Sequence, residues 1–305
     1  MSKRQLVLLV GLPYVGKSSI HRVVFGKKTP GETVNFKPTT HIQKIKVEGF
    51  STPIEVWDIP GKVLMEMDET MMVKMLEETV AVVYVFNCQT QSFSEQIKYM
   101  TQFIELAYKT NNTILFDFLL HKWDAESLIA DKIDMKATVE SLAQKSLAAQ
   151  KIPIDFTLTM TSIYDNSLFL FFSSTFNLIL KNTAAFSSLL QSFTTVCPVL
   201  DAFIVHTPTR FYIATNKGNP HSYGFLKEAF SFFLDVFSTY STEQQMVSGK
   251  TVIECGNNMF VYIKVISQYF CLAMLVDKEN SKNITVYDYN FDLFKASVLK
   301  ILECN

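Results

Sequence analysis

Residues 11–18 read GLPYVGKS and follow directly on the apolar run LVLLV at 6–10. The pattern is G-x-x-x-x-G-K-[ST], which makes a phosphate-binding loop when a strand precedes it and a helix follows. Gly11 and Gly16 let the backbone turn tightly, so that successive N–H groups face phosphate oxygens. A helix starting near Lys17 adds the partial positive charge of its N-terminus. In that setting Lys17 reaches the β- and γ-phosphates and the Ser18 hydroxyl binds Mg²⁺. The stretch therefore predicts an α/β domain built around a nucleotide.

Working outward, strands and helices alternate up to about residue 182. IQKIKV (42–47) and IEVWD (54–58) read as a strand pair, VAVVYVF (80–86) and TILFDFLLH (113–121) as buried strands. Helical patterns cover 92–110 and 131–150, and DFTLTMTS (155–162) is a last strand before a helix over 167–181. Continuous apolar runs separated by helices indicate a largely parallel sheet covered on both faces.

The pattern then changes. Phe186, Leu189, Leu190 and Phe193 share one face of a helix. Two short strands (202–208 and 210–216) follow, then a helix over 222–240, three strands within 251–275 and a closing helix near 291–303. That order indicates an antiparallel α+β domain, and the spacing puts the boundary near residue 184: a first domain over 1–183 and a second over 184–305.

Composition narrows the class. Hydrophobic residues make up 48% and charged residues 19%, enough apolar material for real cores. The formal net charge of -1 offers no basic field for nucleic acid or an anionic membrane surface. The 26 Phe residues sit either in cores or against another chain. The five cysteines (Cys88, Cys197, Cys255, Cys271, Cys304) show no Cys-x-x-Cys spacing, which points to buried thiols in a cytosolic protein rather than a metal site or disulfide framework. The N-terminal MSKRQLVLLVGL runs straight into the glycine loop, so it reads as a first buried strand and not as a signal peptide. Residues 182–200 carry Asn, Ser, Thr and Gln throughout, unlike a membrane span, and the terminal LECN is not a prenylation box.

The companions of the loop choose the base. HKWD (121–124) ends a strand downstream of the loop, where an Asn-Lys-x-Asp segment sits in GTP-binding proteins. There the Asp124 carboxylate accepts from the guanine ring N–H and exocyclic NH₂, a pair that adenine lacks, for about 1.5–3 kcal/mol. Lys122 stacks its stem on the base. TSIYD (161–165) lies one strand–helix unit later, where Ser162 and Ile163 offer backbone N–H groups to the guanine O6. NFKPTTH (35–41) falls where a first switch loop belongs, and either Thr39 or Thr40 brings a hydroxyl to Mg²⁺. DIPGK (58–62) supplies the second switch, with Asp58 beside the metal and the Gly61 N–H on the γ-phosphate. A kinase or ATPase reading would want an arginine-bearing lid and an adenine site, and neither is found.

Taken together, GKSSI followed by VVF, WDIPG, His121 in HKWD, LTMTSIYDNSLF and FYIAT in the second domain resemble the Rag/Gtr family of small GTPases, in its C/D-type, Gtr2-like branch. The resemblance spans nearly the whole chain. It implies a Ras-like phosphate-loop GTPase domain followed by an α+β roadblock-type domain for dimerisation. It implies GTP or GDP with Mg²⁺, with Tyr14, Val15, Gly16, Lys17, Ser18 and Ser19 along the phosphates. Thr33 lies in a stretch that approaches the nucleotide, and Thr39 takes the switch threonine role. It further implies a heterodimer with an A/B-type subunit through residues 184–305, and amino-acid signalling to the target-of-rapamycin kinase complex. The expected location is cytoplasmic, recruited peripherally to lysosomal or vacuolar membrane by separate scaffold proteins, with no lipid anchor on this chain.

Two departures stand out. Family members commonly carry Gln after the DxPG glycine, where this chain has Lys62. Gln both accepts from the attacking water and donates to phosphate, whereas Lys⁺ only donates. Lys62 either pairs with the γ-phosphate or turns to solvent, so the alternative function is a nucleotide-holding scaffold that hydrolyses poorly. The loop also carries Pro13 and Tyr14, and Pro13 removes one N–H. A separate signal points to a partner: in 223–240, Phe225, Leu226, Phe230, Phe232, Phe233, Val236 and Phe237 cover more than one stripe of a helix. Such a helix is buried on more than one side, against another chain or against the first domain. His206 and His221 are read as lone histidines, not ligands.

Overall fold

β1 (Gln5–Val10) is the strand in front of the loop, and Leu6 to Val10 are fully buried. A strand buried on both faces must lie inside a covered sheet. The computed structural model, which describes residues 4–34, 39–90, 92–124, 132–240, 249–256, 258–279 and 284–303, places it there. Contacts divide the chain into two units, residues 1–47 with 52–171 and residues 48–51 with 172–305.

In the first unit β1 is central to a six-stranded sheet with β2 (Gln43–Val47), β3 (Ile54–Asp58), β4 (Thr79–Asn87), β5 (Leu115–His121) and β6 (Leu158–Thr161). The order is β2-β3-β1-β4-β5-β6, and all neighbours are parallel except the antiparallel β2–β3 pair. The register is what positions the site. Leu9 lies beside Asp58, Asn87 beside His121, and His121 beside Thr161, so the motif residues gather at the carboxyl ends of the parallel strands. Gln96 on α4 (Ser94–Thr110) fixes the end of β4: its Oε1 accepts from the Asn87 N–H at 2.8 Å, and its own carbonyl accepts from the buried Tyr84 hydroxyl at 2.8 Å.

α1 (Lys17–Ile20) continues as a π-helical turn, His21–Phe25. Buried His21 ties it to β3, its Nε2–H donating to the Val56 carbonyl at 3.0 Å. Burial lowers the His21 pKa, so the ring is neutral. α2 (Gly61–Glu66) and α3 (Glu69–Glu77) follow the second switch, where the sequence pattern gave no helix. Asp68 starts α3, accepting from the Thr70 and Met71 N–H groups. α5 (Lys132–Ala149) runs between β5 and β6, and α6 (Ser167–Ile179) follows β6.

The second unit holds α7 (Thr183–Val196), β7 (Asp201–His206), β8 (Tyr212–Thr215), α8 (Pro220–Tyr240), β9 (Lys250–Cys255), β10 (Met259–Ser267), β11 (Phe270–Asp277) and α9 (Ile284–Glu303). Its sheet is antiparallel in the order β8-β7-β11-β10-β9. α9 begins seven residues before the sequence pattern suggested, at Ile284. Tyr223, Leu226, Phe230 and Phe233 form the buried stripe of α8, whereas Phe225, Phe232 and Val236 are exposed at 45%, 65% and 43%. The Phe237 side chain and Cys304 lie outside the described residues. His206 is a buried structural histidine, paired with the Thr209 hydroxyl at 2.8 Å and the Glu48 carbonyl at 2.7 Å. Among the described residues no helix is long and apolar enough to cross a membrane.

Candidate functional site

The loop after β1 borders a cavity of about 580 Å³ in the first unit. Of the residues singled out from the sequence, Tyr14, Gly16, Lys17, Ser18, Ser19, Thr33, Thr39, Gly61, Lys62 and Lys122 line it, as does Thr40. Val15 is buried beneath it.

Lys17 is almost wholly buried and points back at its own loop. Its Nζ donates to the Gly11 carbonyl at 2.8 Å and the Leu12 carbonyl at 2.9 Å. Burial pulls its pKa down to about 8, with the nearby Asp58 carboxylate acting in the opposite sense. Ser18 stands between two oxygens: its hydroxyl donates to Asp58 Oδ2 at 2.5 Å and lies 2.6 Å from the Thr39 hydroxyl. Thr40 points elsewhere, toward the His41 ring at 3.4 Å, so Thr39 is the threonine that meets Ser18. Asp58 is fully buried, and its second oxygen, Oδ1, has no hydrogen-bond partner. An orphaned carboxylate oxygen beside two hydroxyls is an all-oxygen donor set of the kind a hard divalent cation takes. Among the described residues no cluster of three His, Cys, Asp or Glu side chains could hold a metal instead.

The base motif is welded to the loop. Lys122 Nζ donates to the Tyr14 carbonyl at 2.9 Å. Tyr14 (φ 64°) and Lys122 (φ 65°) are both non-glycine residues in the left-handed region, a strain that clusters at functional sites. Burial lowers the Lys122 pKa. His121 is buried, its Nδ1 3.1 Å from the Thr161 hydroxyl. Burial, then the Lys122 charge, pushes its pKa down to about 4, so the ring is neutral at pH 7. The ring fills the space over Gly16 (φ +103°): a Cβ there would come 2.6 Å from His121 Cδ2. From the other side Cys88 braces the segment, its thiol donating to the Lys122 carbonyl at 3.0 Å.

Asp124, Ser162 and Ile163 lie beyond the residues that line the cavity. The Ser162 hydroxyl donates to Asp124 Oδ1 at 2.5 Å and accepts from the Tyr164 N–H at 3.0 Å. The Ser162 N–H is itself given to Ser167 Oγ at 3.0 Å, whereas the Ile163 N–H donates to no described residue. Ser162 thus aims the Asp124 carboxylate, and Ile163 is the residue of the pair with a backbone donor to spare.

Gly61 opens α2 hard against the loop, where a Cβ would fall 2.8 Å from the Gly11 carbonyl and 2.9 Å from Pro13 Cδ. Sequence reasoning missed Glu66, which lines the cavity one helical turn after Lys62. It also missed Cys88 and Gln96. For Glu66 the i, i+4 spacing from Lys62 was the available signal once a helix was drawn there.

A family model described as the Gtr1/RagA G protein conserved region matches residues 6–234. The chain is 28% identical to Ras-related GTP-binding protein C of Homo sapiens over 316 residues, covering 99% of this chain and 78% of that protein. It is 25% identical to the GTP-binding protein gtr2 of Schizosaccharomyces pombe over 315 residues, with 98% of each covered. Against the GTP-binding protein gtr1 of the same yeast the identity is 22% over 288 residues, with 93% of this chain and 92% of that protein covered.

Proposed function

The chain belongs to the Gtr1/RagA family of G proteins, and from that premise we propose that it is a C/D-type guanine-nucleotide switch that works as one half of a heterodimer with an A/B-type subunit. Higher identity to the C-type and gtr2 proteins than to gtr1 supports the branch. The observation that carries the chemistry is the junction at Gly16. There a phosphate loop with Lys17, Ser18 and Thr39 is locked through His121 and Lys122 to a strand end that leads into Asp124.

In this reading Asp124, aimed by Ser162, accepts from the two guanine donors, and the Ile163 N–H meets O6. The backbone of residues 14–19 and the Lys17 ammonium bind the phosphates. Ser18 and Thr39, beside the Asp58 carboxylate with its orphaned oxygen, would hold Mg²⁺, which would supply positive charge for the β- and γ-phosphates. Thr39 and Gly61 sit on separate segments that both border the loop, and in this reading each meets a terminal phosphate. Nucleotide state is thereby converted into the order of two loops.

Residues 184–305 form the roadblock-like dimerisation domain of the proposal. Its support is the exposed apolar stripe of α8, Phe225, Phe232 and Val236, together with Tyr289 and Leu293 on α9. Relay of amino-acid availability to the target-of-rapamycin complex, and peripheral recruitment to lysosomal or vacuolar membrane, follow from the family resemblance. A second reading, a holder of nucleotide that hydrolyses slowly or only with a partner's help, is favoured by one observation. Lys62, a residue that can only donate, lines the cavity at the place of the family's Gln.

The chain purified together with an A/B-type partner tests the proposal. Chromatography of the released small molecule should give GDP or GTP, and displacement should follow guanine and not adenine nucleotides. Release of ATP or ADP, or equal competition by both bases, rejects the guanine assignment.

A further inference from the structure

Among the described residues three lysines line the cavity, and two are held by loop carbonyls. Lys17 gives its protons to the Gly11 and Leu12 carbonyls, and Lys122 donates to the Tyr14 carbonyl. Lys62 makes no hydrogen bond to the described residues. Its one partner is Glu66, with Nζ and Oε1 4.0 Å apart and the two side chains 81% and 68% exposed. Such a pair is weakly held. Solvent screens it, and a Lys placed before its Glu on a helix opposes the helix dipole rather than joining it.

Among the described residues that line the cavity, Glu66 is also the only carboxylate. Among the described residues the cavity mouth therefore carries one loosely held cation and the one anion that holds it. The position of Lys62 is set by its neighbour: Gly61 is wedged against the Gly11 carbonyl and Pro13. Residue 62 thus starts about 3.8 Å, one Cα step, from backbone that touches the loop.

Resting on the guanine-nucleotide reading above, we propose that Lys62 and Glu66 form a charge toggle that makes this switch select the triphosphate. With a diphosphate, Lys62 leans on Glu66. With a triphosphate, the ammonium leaves Glu66 for the γ-phosphate oxygens, which carry more charge and accept a shorter hydrogen bond. Glu66 is then a built-in competitor that keeps the site from closing around a diphosphate, and α2 moves with the cation.

The test measures equilibrium affinity of the full chain for fluorescent GDP and for a non-hydrolysable fluorescent GTP analogue, in the wild type and in Lys62→Ala, Lys62→Arg and Glu66→Gln. Lys62→Ala should weaken the analogue about tenfold and leave GDP within about twofold. Lys62→Arg should keep most of the preference. Glu66→Gln should tighten the analogue by about threefold, and that gain should vanish when combined with Lys62→Ala. GDP affinity is the internal control for folding. Equal losses for both nucleotides in Lys62→Ala, or no loss for either, overturns the toggle and leaves the guanine site standing. A wild-type chain that binds neither nucleotide overturns both.

Discussion

The two ends of the site are held by different means. At the base end, His121 is buried between Thr161 and Gly16, Lys122 bonds the Tyr14 carbonyl, Cys88 bonds the Lys122 carbonyl, and Ser162 fixes Asp124. Each group there is placed by a partner far away in sequence. At the phosphate end, Lys62 and Glu66 are exposed and 4.0 Å apart, and one oxygen of Asp58 has no partner. The segment before Thr33 is ordered by local bonds: the Thr29–Glu32 capping box with Lys28, and the Thr33 hydroxyl donating to the Pro30 carbonyl at 2.9 Å. The proposed switch would use this division: a rigid end to identify the base, and exposed groups at the other end that a terminal phosphate and its cation can reorganise.

If the division is real, substitutions at the rigid end should cost far more than those at the soft one. Gly16→Ala is the harshest. The residue must keep a left-handed φ of +103° while its new methyl meets His121 Cδ2 at 2.6 Å. Strain and overlap together predict about 2–4 kcal/mol of lost stability, and GDP affinity lower by on the order of a hundredfold. Denaturant unfolding and fluorescent GDP binding measure the two effects. A variant that keeps both would mean the loop is not pinned by His121.

Asp124→Asn comes next. It replaces an acceptor-only carboxylate by an amide and removes the charge, so guanine loses about 1.5–3 kcal/mol, roughly 10- to 100-fold in affinity. Competition by inosine diphosphate, which lacks the exocyclic amine, should approach that of GDP in the variant and lag behind it in the wild type. Unchanged discrimination would remove Asp124 from the base end.

Much of the rigid end was legible because its residues announce themselves by spacing: G-x-x-x-x-G-K-[ST], HKWD and TSIYD each follow an apolar run. The strands were legible for the same reason, since continuous burial in β1, β4 and β5 leaves continuous apolar sequence. What joins the motifs was not. The Lys122–Tyr14 bond spans 108 positions, and nothing local in either segment encodes it. Spacing alone left Thr39 and Thr40 open, because neighbouring residues of one type look alike until their side chains diverge. The family resemblance chose Thr39, whose hydroxyl the fold sets beside Ser18. The soft end was harder. α2 is six residues long, with Leu64 its only buried side chain, so no amphipathic period could develop before it stopped. Glu66 was invisible without that helix. α3, by contrast, carried a readable start in Asp68 that the short apolar pattern after it obscured.

His121 allows the rigid end to be probed by pH. Burial holds its folded pKa near 4, against about 6.5 unfolded, so the neutral ring is the form the fold accepts. A depressed histidine pKa gives stability that is complete above about 6.5 and is lost as pH falls toward 4, because the unfolded chain takes up the proton first. Between pH 7 and pH 5 the wild type should lose about 2 kcal/mol more than His121→Asn. Guanidinium unfolding at the two pH values reads this directly. Parallel losses in both proteins would show that the ring protonates without opening the Gly16 junction.

The gentlest test belongs to the soft end and challenges the comparison most directly. Glu32 is exposed, yet its carboxyl is held at about 2, first by the Lys28 ammonium and then by the Thr29 N–H and hydroxyl. A depressed carboxyl stabilises above its ordinary value of about 4.3 and loses that contribution only as pH falls toward 2, so between pH 5 and 8 the cap is constant. Glu32→Gln removes the charge and keeps the shape. With solvent screening the pair, nucleotide dissociation should change by less than about twofold, with no added pH dependence in that range. A tenfold faster release would mean that the segment before Thr33 is clamped as firmly as the base end. The contrast between a built end and a yielding end would then have to be redrawn, with only α2 left as the part that moves.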